Sequence, residues 1–202
     1  MQLIFSDFAN ADNLIPYDGE LFYVNNCIDL QQADIYFEKL STQIEWERDE
    51  FLMYGKRIIS KRKVAWYGSK EFDYAYSGIH RKAKPWTKEL LALKGIIEKE
   101  SSDTFNSCLL NLYHDGLEGM GWHSDNEKEL EPGATIASLS LGSARKFSFK
   151  HKESKETISL TLENGSLLLM KGSIQKHWLH QLPKSKKINS PRINLTYRSI
   201  IE

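Results

Sequence analysis

Between Phe105 and Ile200 the chain breaks into short runs rich in β-branched and aromatic residues, separated by Gly, Pro, Asn and Ser. The runs are Phe105 to His114, Thr135 to Leu141, Arg145 to Lys150, Thr157 to Leu162, Ser166 to Met170, Lys176 to Leu182 and Arg192 to Ile200. Each is short for a helix and long enough for a strand, and so many strands with short connections must close into a sandwich or barrel. Tyr67 to Gly78 also reads as extended, with Tyr74 and Tyr76 on one face. Helices are expected ahead of the strands. Asp29 and Gln32 have the form of a capping box, and Ala33, Phe37 and Leu40 give an apolar face to a helix over roughly residues 30–42. A second helix is predicted to begin near Pro85 and to carry Leu90, Leu93 and Ile97 on one side. The expected fold is mainly β with flanking helices, a β-sandwich of the jelly-roll type.

With 41% hydrophobic residues in 202, such a fold can bury a core without disulfides, and no linker divides the chain, so residues 1–202 are read as a single domain. Cys27 and Cys108 suit neither a zinc ribbon nor a secreted disulfide framework and are expected as buried free thiols. Met1 to Asn10 resembles neither a signal peptide nor a membrane span, so a cytoplasmic location is expected, nuclear if the source is eukaryotic. The 27 basic and 27 acidic residues cancel, and distribution matters more. Lys56, Arg57, Lys61, Arg62 and Lys63 stand in a stretch without acidic residues, and Arg81, Lys82, Lys84 and then Lys184, Lys186, Lys187 follow the same pattern. Such runs serve either as solvated faces or as phosphate contacts, and charge alone does not separate the two.

In Trp122-His123-Ser124-Asp125 an imidazole and a carboxylate stand two residues apart, so in extended backbone both point to one side and form a chelating pair. His180 can complete a two-histidine, one-carboxylate facial triad, which leaves open positions on a non-haem iron(II). That spacing alone is weakly specific. The last strand supplies a second feature: Arg192, Asn194, Thr196 and Arg198 alternate with Ile193, Leu195 and Tyr197. Its polar face could simply meet water. Alternatively, the planar forks of two arginines could pair with the ends of a small dicarboxylate, with Asn111 and Tyr113 hydrogen-bonding the same ligand. His114 and His177 are expected on the opposite side of their strands, and His80 and His151 in exposed lysine-rich stretches.

Taken in order, Asn111-Leu112-Tyr113-His114-Asp115-Gly116, His123-Ser124-Asp125-Asn126-Glu127, Pro132-Gly133, Ile136-Ala137-Ser138, His177-Trp178-Leu179-His180 and Pro191-Arg192-Ile193-Asn194-Leu195-Thr196-Tyr197-Arg198 closely resemble the AlkB family of dioxygenases, nearest its branch that repairs double-stranded DNA. The resemblance covers roughly residues 54–200. It implies a double-stranded β-helix, Fe(II) on His123, Asp125 and His180, and 2-oxoglutarate and O2 as cosubstrates. Arg192 and Arg198 would meet the 2-oxoglutarate carboxylates, with Asn111, Tyr113, Asn194 and Thr196 as polar neighbours. The implied reaction is oxidative dealkylation of bases of the 1-methyladenine and 3-methylcytosine type, releasing formaldehyde, succinate and CO2.

On the substrate side the resemblance makes residues 54–84 a nucleotide-recognition segment. Tyr74, Tyr76 and Ser77 match the base-binding part, with Tyr76 stacking on an extruded base, and Glu127 matches the residue that meets the base edge. Arg62 resembles a backbone contact, and Tyr54 matches an aromatic finger that fills the gap left by the flipped base, unless it packs under the following hairpin. The implied partner is DNA with alkylated bases, double- or single-stranded, with RNA a further candidate, for a monomer without membrane contact. Two departures stand out: Tyr197 where the family commonly has Phe, and Ser124 with Asn126 in place of an arginine and a second carboxylate. A 2-oxoglutarate-dependent hydroxylase or demethylase acting on RNA or protein would keep the triad and Arg192 but need no base-stacking Tyr76. A silent binding module would not need the complete triad.

Overall fold

The structure, a computed structural model, describes residues 12–53, 56–76, 79–125 and 127–201, with the backbone alone for 49–53, 56–58, 73–76 and 79–81. The chain runs β1 (Glu20–Val24), α1 (Leu30–Gln43), β2 (Glu47–Met53), β3 (Lys56–Gly68), β4 (Asp73–Tyr76), β5 (Ile79–Lys82), β6 (Lys84–Pro85) and α2 (Lys88–Ser101). It continues through β7 (Ser107–Tyr113), β8 (Met120–His123), β9 (Ile136–Gly142), β10 (Arg145–His151), β11 (Thr157–Leu162), β12 (Leu167–Lys171), α3 (Ile174–His177), β13 (Trp178–Leu182) and β14 (Arg192–Arg198).

The two-residue period of β14 organises both layers. Its pairing with β7 and β9 places Asn194 opposite both Asn111 and Ser140, and Arg192 opposite Tyr113, so the polar residues of neighbouring strands share one face. The other face carries Ile193, Leu195 and Tyr197 into a core with Leu110, Leu139 and Leu141, sealed by Ala33 and Leu40 of α1 and Leu90, Leu93 and Ile97 of α2. The sheet runs β1-β12-β9-β14-β7-β3-β2, with β6 joined to β3. Its polar face looks toward a second sheet, β11-β10-β13-β8, and Leu168, Met170, Phe149 and Trp178 fill part of the space between. This is the expected jelly roll. Each fully buried leucine of α2 contributes about 1.5–3 kcal/mol. Tyr197, where the family commonly has Phe, uses its hydroxyl: the O–H donates to the Leu90 carbonyl at 3.0 Å and locks α2 to the sheet.

Helix α1 starts as its capping box predicts, with the Asp29 carboxylate accepting from the Gln32 N–H at 3.0 Å. Helix α2 does not begin at Pro85. Thr87 caps it, and Lys84–Pro85 pairs parallel to β3, a position that proline's missing N–H tolerates at a sheet margin. The run from Lys176 is helical to His177 before β13 begins, and Tyr67 lies near the end of β3 rather than opening a strand. The N-terminal fifty residues contribute an edge strand, since β1 pairs with β12. Gly165 has φ +77°, and a Cβ there would collide with the Ile28 carbonyl oxygen, so this turn is also a close approach. Among the described residues no helix is long and apolar enough to cross a membrane.

Candidate metal centre

Strands β8 and β13 pair antiparallel with His123 directly opposite His180, which brings the two rings to 4.3 Å between centroids. Asp125 lies two residues past the end of β8, and its Oδ1 is 3.8 Å from His123 Nε2 and 3.9 Å from His180 Nε2. His123 Nδ1 lies 2.8 Å from the Gly121 carbonyl, so this nitrogen carries the proton and Nε2 keeps its lone pair. His180 is packed against Phe147 and Phe149, and burial brings its pKa down to about 3, which leaves the ring neutral and able to bind a cation. Burial alone would raise the Asp125 carboxyl. The Arg198 guanidinium, with the two histidines, instead holds it below the usual carboxylate range. Arg198 Nη2 donates to Asp125 Oδ2 at 2.6 Å, so one carboxylate oxygen is fixed and the other faces the imidazoles.

These groups line a cavity between the sheets, together with Asn111, Tyr113, Arg192, Asn194 and Thr196. Arg192 is 2% exposed, and burial lowers its pKa to about 10, so it remains a cation at neutral pH. Its Nη2 donates to Ser140 Oγ at 2.9 Å, whereas its Nε has no hydrogen-bond partner and no carboxylate pairs with it among the described residues. The buried Asn111 Oδ1 is also without a partner. A buried cation beside an unsatisfied amide oxygen is costly unless an anionic, hydrogen-bonding ligand enters. A small dicarboxylate fits that requirement, with the Asn111 amide turned to present its NH2. A divalent cation equally fits two neutral imidazoles aimed at one carboxylate oxygen.

A model of the 2OG-Fe(II) oxygenase superfamily matches residues 20–198. The chain belongs to this superfamily. It is therefore a dioxygenase of the class that uses Fe(II), 2-oxoglutarate and O2. Among curated relatives, the DNA oxidative demethylase ALKBH2 of Homo sapiens is 37% identical over 181 residues, covering 84% of this chain and 69% of that protein. The alpha-ketoglutarate-dependent dioxygenase alkB homolog 3 of Bos taurus is 37% identical over 183 residues, covering 86% of this chain and 63% of that protein. Among solved structures, that of OsALKBH1 superposes with a TM-score of 0.65 at 17% identity, over 92% of this chain and 99% of that one, and supports the oxygenase fold.

The structure thus brings together the proposed iron ligands and the six polar residues expected around the cosubstrate. Arg198, expected on a cosubstrate carboxylate, is engaged by Asp125. Glu127 and Arg62 line the same cavity: Glu127 Oε2 is buried without a partner, and Arg62 Nη1 lies 3.8 Å from Met120 Sδ. Tyr54 and Ser77 lie outside the described residues, as do the side chains of Tyr74 and Tyr76. In one basic run, Lys84 is tied to Glu47 at 2.8 Å and Glu45 at 3.1 Å, and Lys82 to Glu71 at 2.7 Å, so that part of the run serves intramolecular pairs.

His151 is a correction. It is 3% exposed rather than solvated, because the inward positions of β10 alternate with its lysines. His177 ends α3 instead of occupying a strand. Sequence reasoning missed Ser138 and Ser140, although their alternation in β9 was the available signal: Ser138 Oγ accepts from Asn194 Nδ2 at 2.8 Å, as Ser140 does from Arg192. It also missed Arg145, 1% exposed, which donates to the carbonyls of Asp115, Glu118 and Pro183 and lies, like Arg192, over the Tyr113 ring, each guanidinium 5.8 Å from the ring centre.

Proposed function

We propose that this chain removes methyl and related alkyl groups from N-alkylated DNA bases of the 1-methyladenine and 3-methylcytosine type, with iron held by His123, Asp125 and His180. The observation that carries the reading is the pairing, in one cavity, of the His-Asp-His cluster with the uncompensated buried cation Arg192. The first suits a metal with open positions and the second an anionic cosubstrate. The relatives named DNA oxidative demethylase supply the substrate class.

When bound, iron with 2-oxoglutarate and dioxygen supplies the oxidation of the N-alkyl carbon, which leaves as formaldehyde. The chain's own residues hold and exclude. Arg192 and Ser140 fix one end of the cosubstrate, Asn111, Tyr113, Asn194 and Thr196 its flanks, and Arg198 keeps Asp125 ionised. In the same cavity Val64 and Trp66 of β3, with Met120 and Ile200, give an apolar surface for a base taken out of its stack. Glu127 accepts from the exocyclic amine of that base, and its carboxylate suits the positive charge of 1-methyladenine and 3-methylcytosine. Residues 54–84 form the nucleotide-recognition segment of the single domain, in which Tyr54, Tyr74, Tyr76 and Ser77 contact the nucleotide and Arg62 a phosphate. The working form is a monomer, and both thiols are free, in keeping with a reducing cytoplasm or nucleus.

The test is a panel of DNA and RNA oligonucleotides, single- and double-stranded, with and without methylated bases, read as 2-oxoglutarate consumed. Methylated DNA should stimulate turnover severalfold over unmethylated DNA. Stimulation by methylated RNA alone, or by none of the panel, would remove DNA as the substrate.

A further inference from the structure

Asp125 stands beyond the paired part of β8, where no ladder fixes its backbone. A side chain does so instead: the Asp125 N–H donates to Gln175 Oε1 at 2.9 Å. The other end of that amide lies 3.4 Å from the sulfur of Met170, a residue of the cavity wall. A second brace runs alongside. Lys152 Nζ donates to the carbonyls of Gln175 at 3.0 Å and Lys176 at 2.8 Å, and to Ser124 Oγ at 3.3 Å, between the two ligands of that loop. Ser124 is one of the departures from the family pattern, and this contact gives it a role.

Both braces converge on α3, the single turn that runs directly into β13 and His180. That turn is seated from behind, since Ile174 is 1% exposed and a Cβ on Gly19, at φ +146°, would come within 2.7 Å of it. The segment that carries the third ligand therefore also holds the backbone of the second. Asp125 is gripped at two points, its Oδ2 by Arg198 and its N–H by Gln175. With both in place Oδ1 has one direction, toward the histidines; with the main-chain point lost, the loop can turn about the remaining one.

We propose that Gln175, braced by Lys152, is a positioning residue that sets the Asp125 carboxylate for the metal. The inference rests on the reading of His123, Asp125 and His180 as the metal ligands. It predicts that the acceptor oxygen of Gln175, rather than its bulk, governs metal affinity, because groups behind a metal ligand set its orientation.

The probe is Co(II) alone, titrated anaerobically into the metal-free protein and followed by its visible absorption, without cosubstrate or DNA. Gln175→Met keeps the length of the side chain but removes the acceptor, together with the amide donor to Met170, a donor that Gln175→Glu lacks as well. Gln175→Glu restores an oxygen acceptor and adds a charge that does not oppose a cation. Cobalt affinity should fall about 10-fold in Gln175→Met and stay within about 3-fold of the parent in Gln175→Glu, the scale on which such outer contacts act. Equal losses in both variants, or no loss in Gln175→Met, would overturn the positioning role. His180→Ala is the control that separates the two claims: retention of parental cobalt affinity there would overturn the ligand assignment itself.

Discussion

Two clusters in this molecule contain the same residue types, two histidines and an aspartate with ligand atoms within 4.8 Å of one another, and they have opposite chemistry. In His123, Asp125 and His180 the proton of His123 is committed to the Gly121 carbonyl, one oxygen of Asp125 is committed to Arg198, and the remaining lone pairs converge. In Asp18, His151 and His177 the commitments run the other way. His151 Nδ1 accepts from the Ser154 N–H at 3.0 Å, so the neutral ring carries its proton on Nε2, which meets Asp18 Oδ2 at 3.1 Å. That hydrogen bond occupies the place a metal would take. The second cluster is a clasp: with the indole of Trp178 donating to the Tyr17 carbonyl at 3.1 Å, it fixes residues 17–19 against β10 and the start of β13. Residue type and proximity are therefore insufficient to name a metal site, and the partner of the second ring nitrogen decides.

The largest effect expected to separate the clusters is all-or-none. His180→Ala should abolish the weak charge-transfer band that Fe(II) and 2-oxoglutarate give in the absence of oxygen, whereas His177→Ala should leave it intact; the reverse result would exchange the roles of the clusters. Next comes Arg192, the buried cation that the clasp lacks. Arg192→Ala should raise the 2-oxoglutarate concentration needed for half-maximal turnover by about 10- to 100-fold, the worth of a charge-assisted pair, and an unchanged requirement would make Arg192 structural.

A smaller effect belongs to the clasp. His151→Ala removes buried hydrogen bonds worth about 1–3 kcal/mol and should lower the melting midpoint by roughly 2–10 °C while sparing metal affinity. Loss of metal affinity without loss of stability would show that the clasp is no clasp. The effect smallest near neutral pH is a slope that appears on acidification. His180 is lowered from its ordinary 6.5 to about 3 by burial, so the unfolded chain binds its proton more readily. Its contribution to the stability of the metal-free protein is complete above about pH 6.5 and is lost as pH falls toward 3. Replacing His180 by Phe should flatten acid unfolding in that window, and an unaltered slope would place the acid sensitivity elsewhere.

What could be read in advance followed from local periods. The alternation of Arg192, Asn194, Thr196 and Arg198 survives folding because a strand keeps its two-residue repeat whatever it pairs with. The His123-x-Asp125 pair holds although Asp125 lies past the end of β8, where Gln175 and Arg198 place it. His151 was misplaced because Lys150 and Lys152 flank it, although in a strand neighbours face opposite sides and say little about the residue between them. The start of α2 was misplaced because Pro85 and Thr87 both suit a helix entrance, and only the pairing of Lys84–Pro85 with β3 decides between them. Gln175 gave no local sign. Its contact with Asp125 joins positions fifty residues apart, and the helical turn that aims it overlaps the start of the run from Lys176 that reads as strand.

The most direct test of the central claim is to incubate the protein with Fe(II), 2-oxoglutarate and a duplex carrying one 1-methyladenine, and to measure the restored base and the formaldehyde by mass spectrometry. One formaldehyde should appear for each adenine restored, with neither product from His180→Ala. Succinate formed while the methylated base persists, or repair undiminished in His180→Ala, would contradict the assignment of this cavity as a DNA dealkylation site.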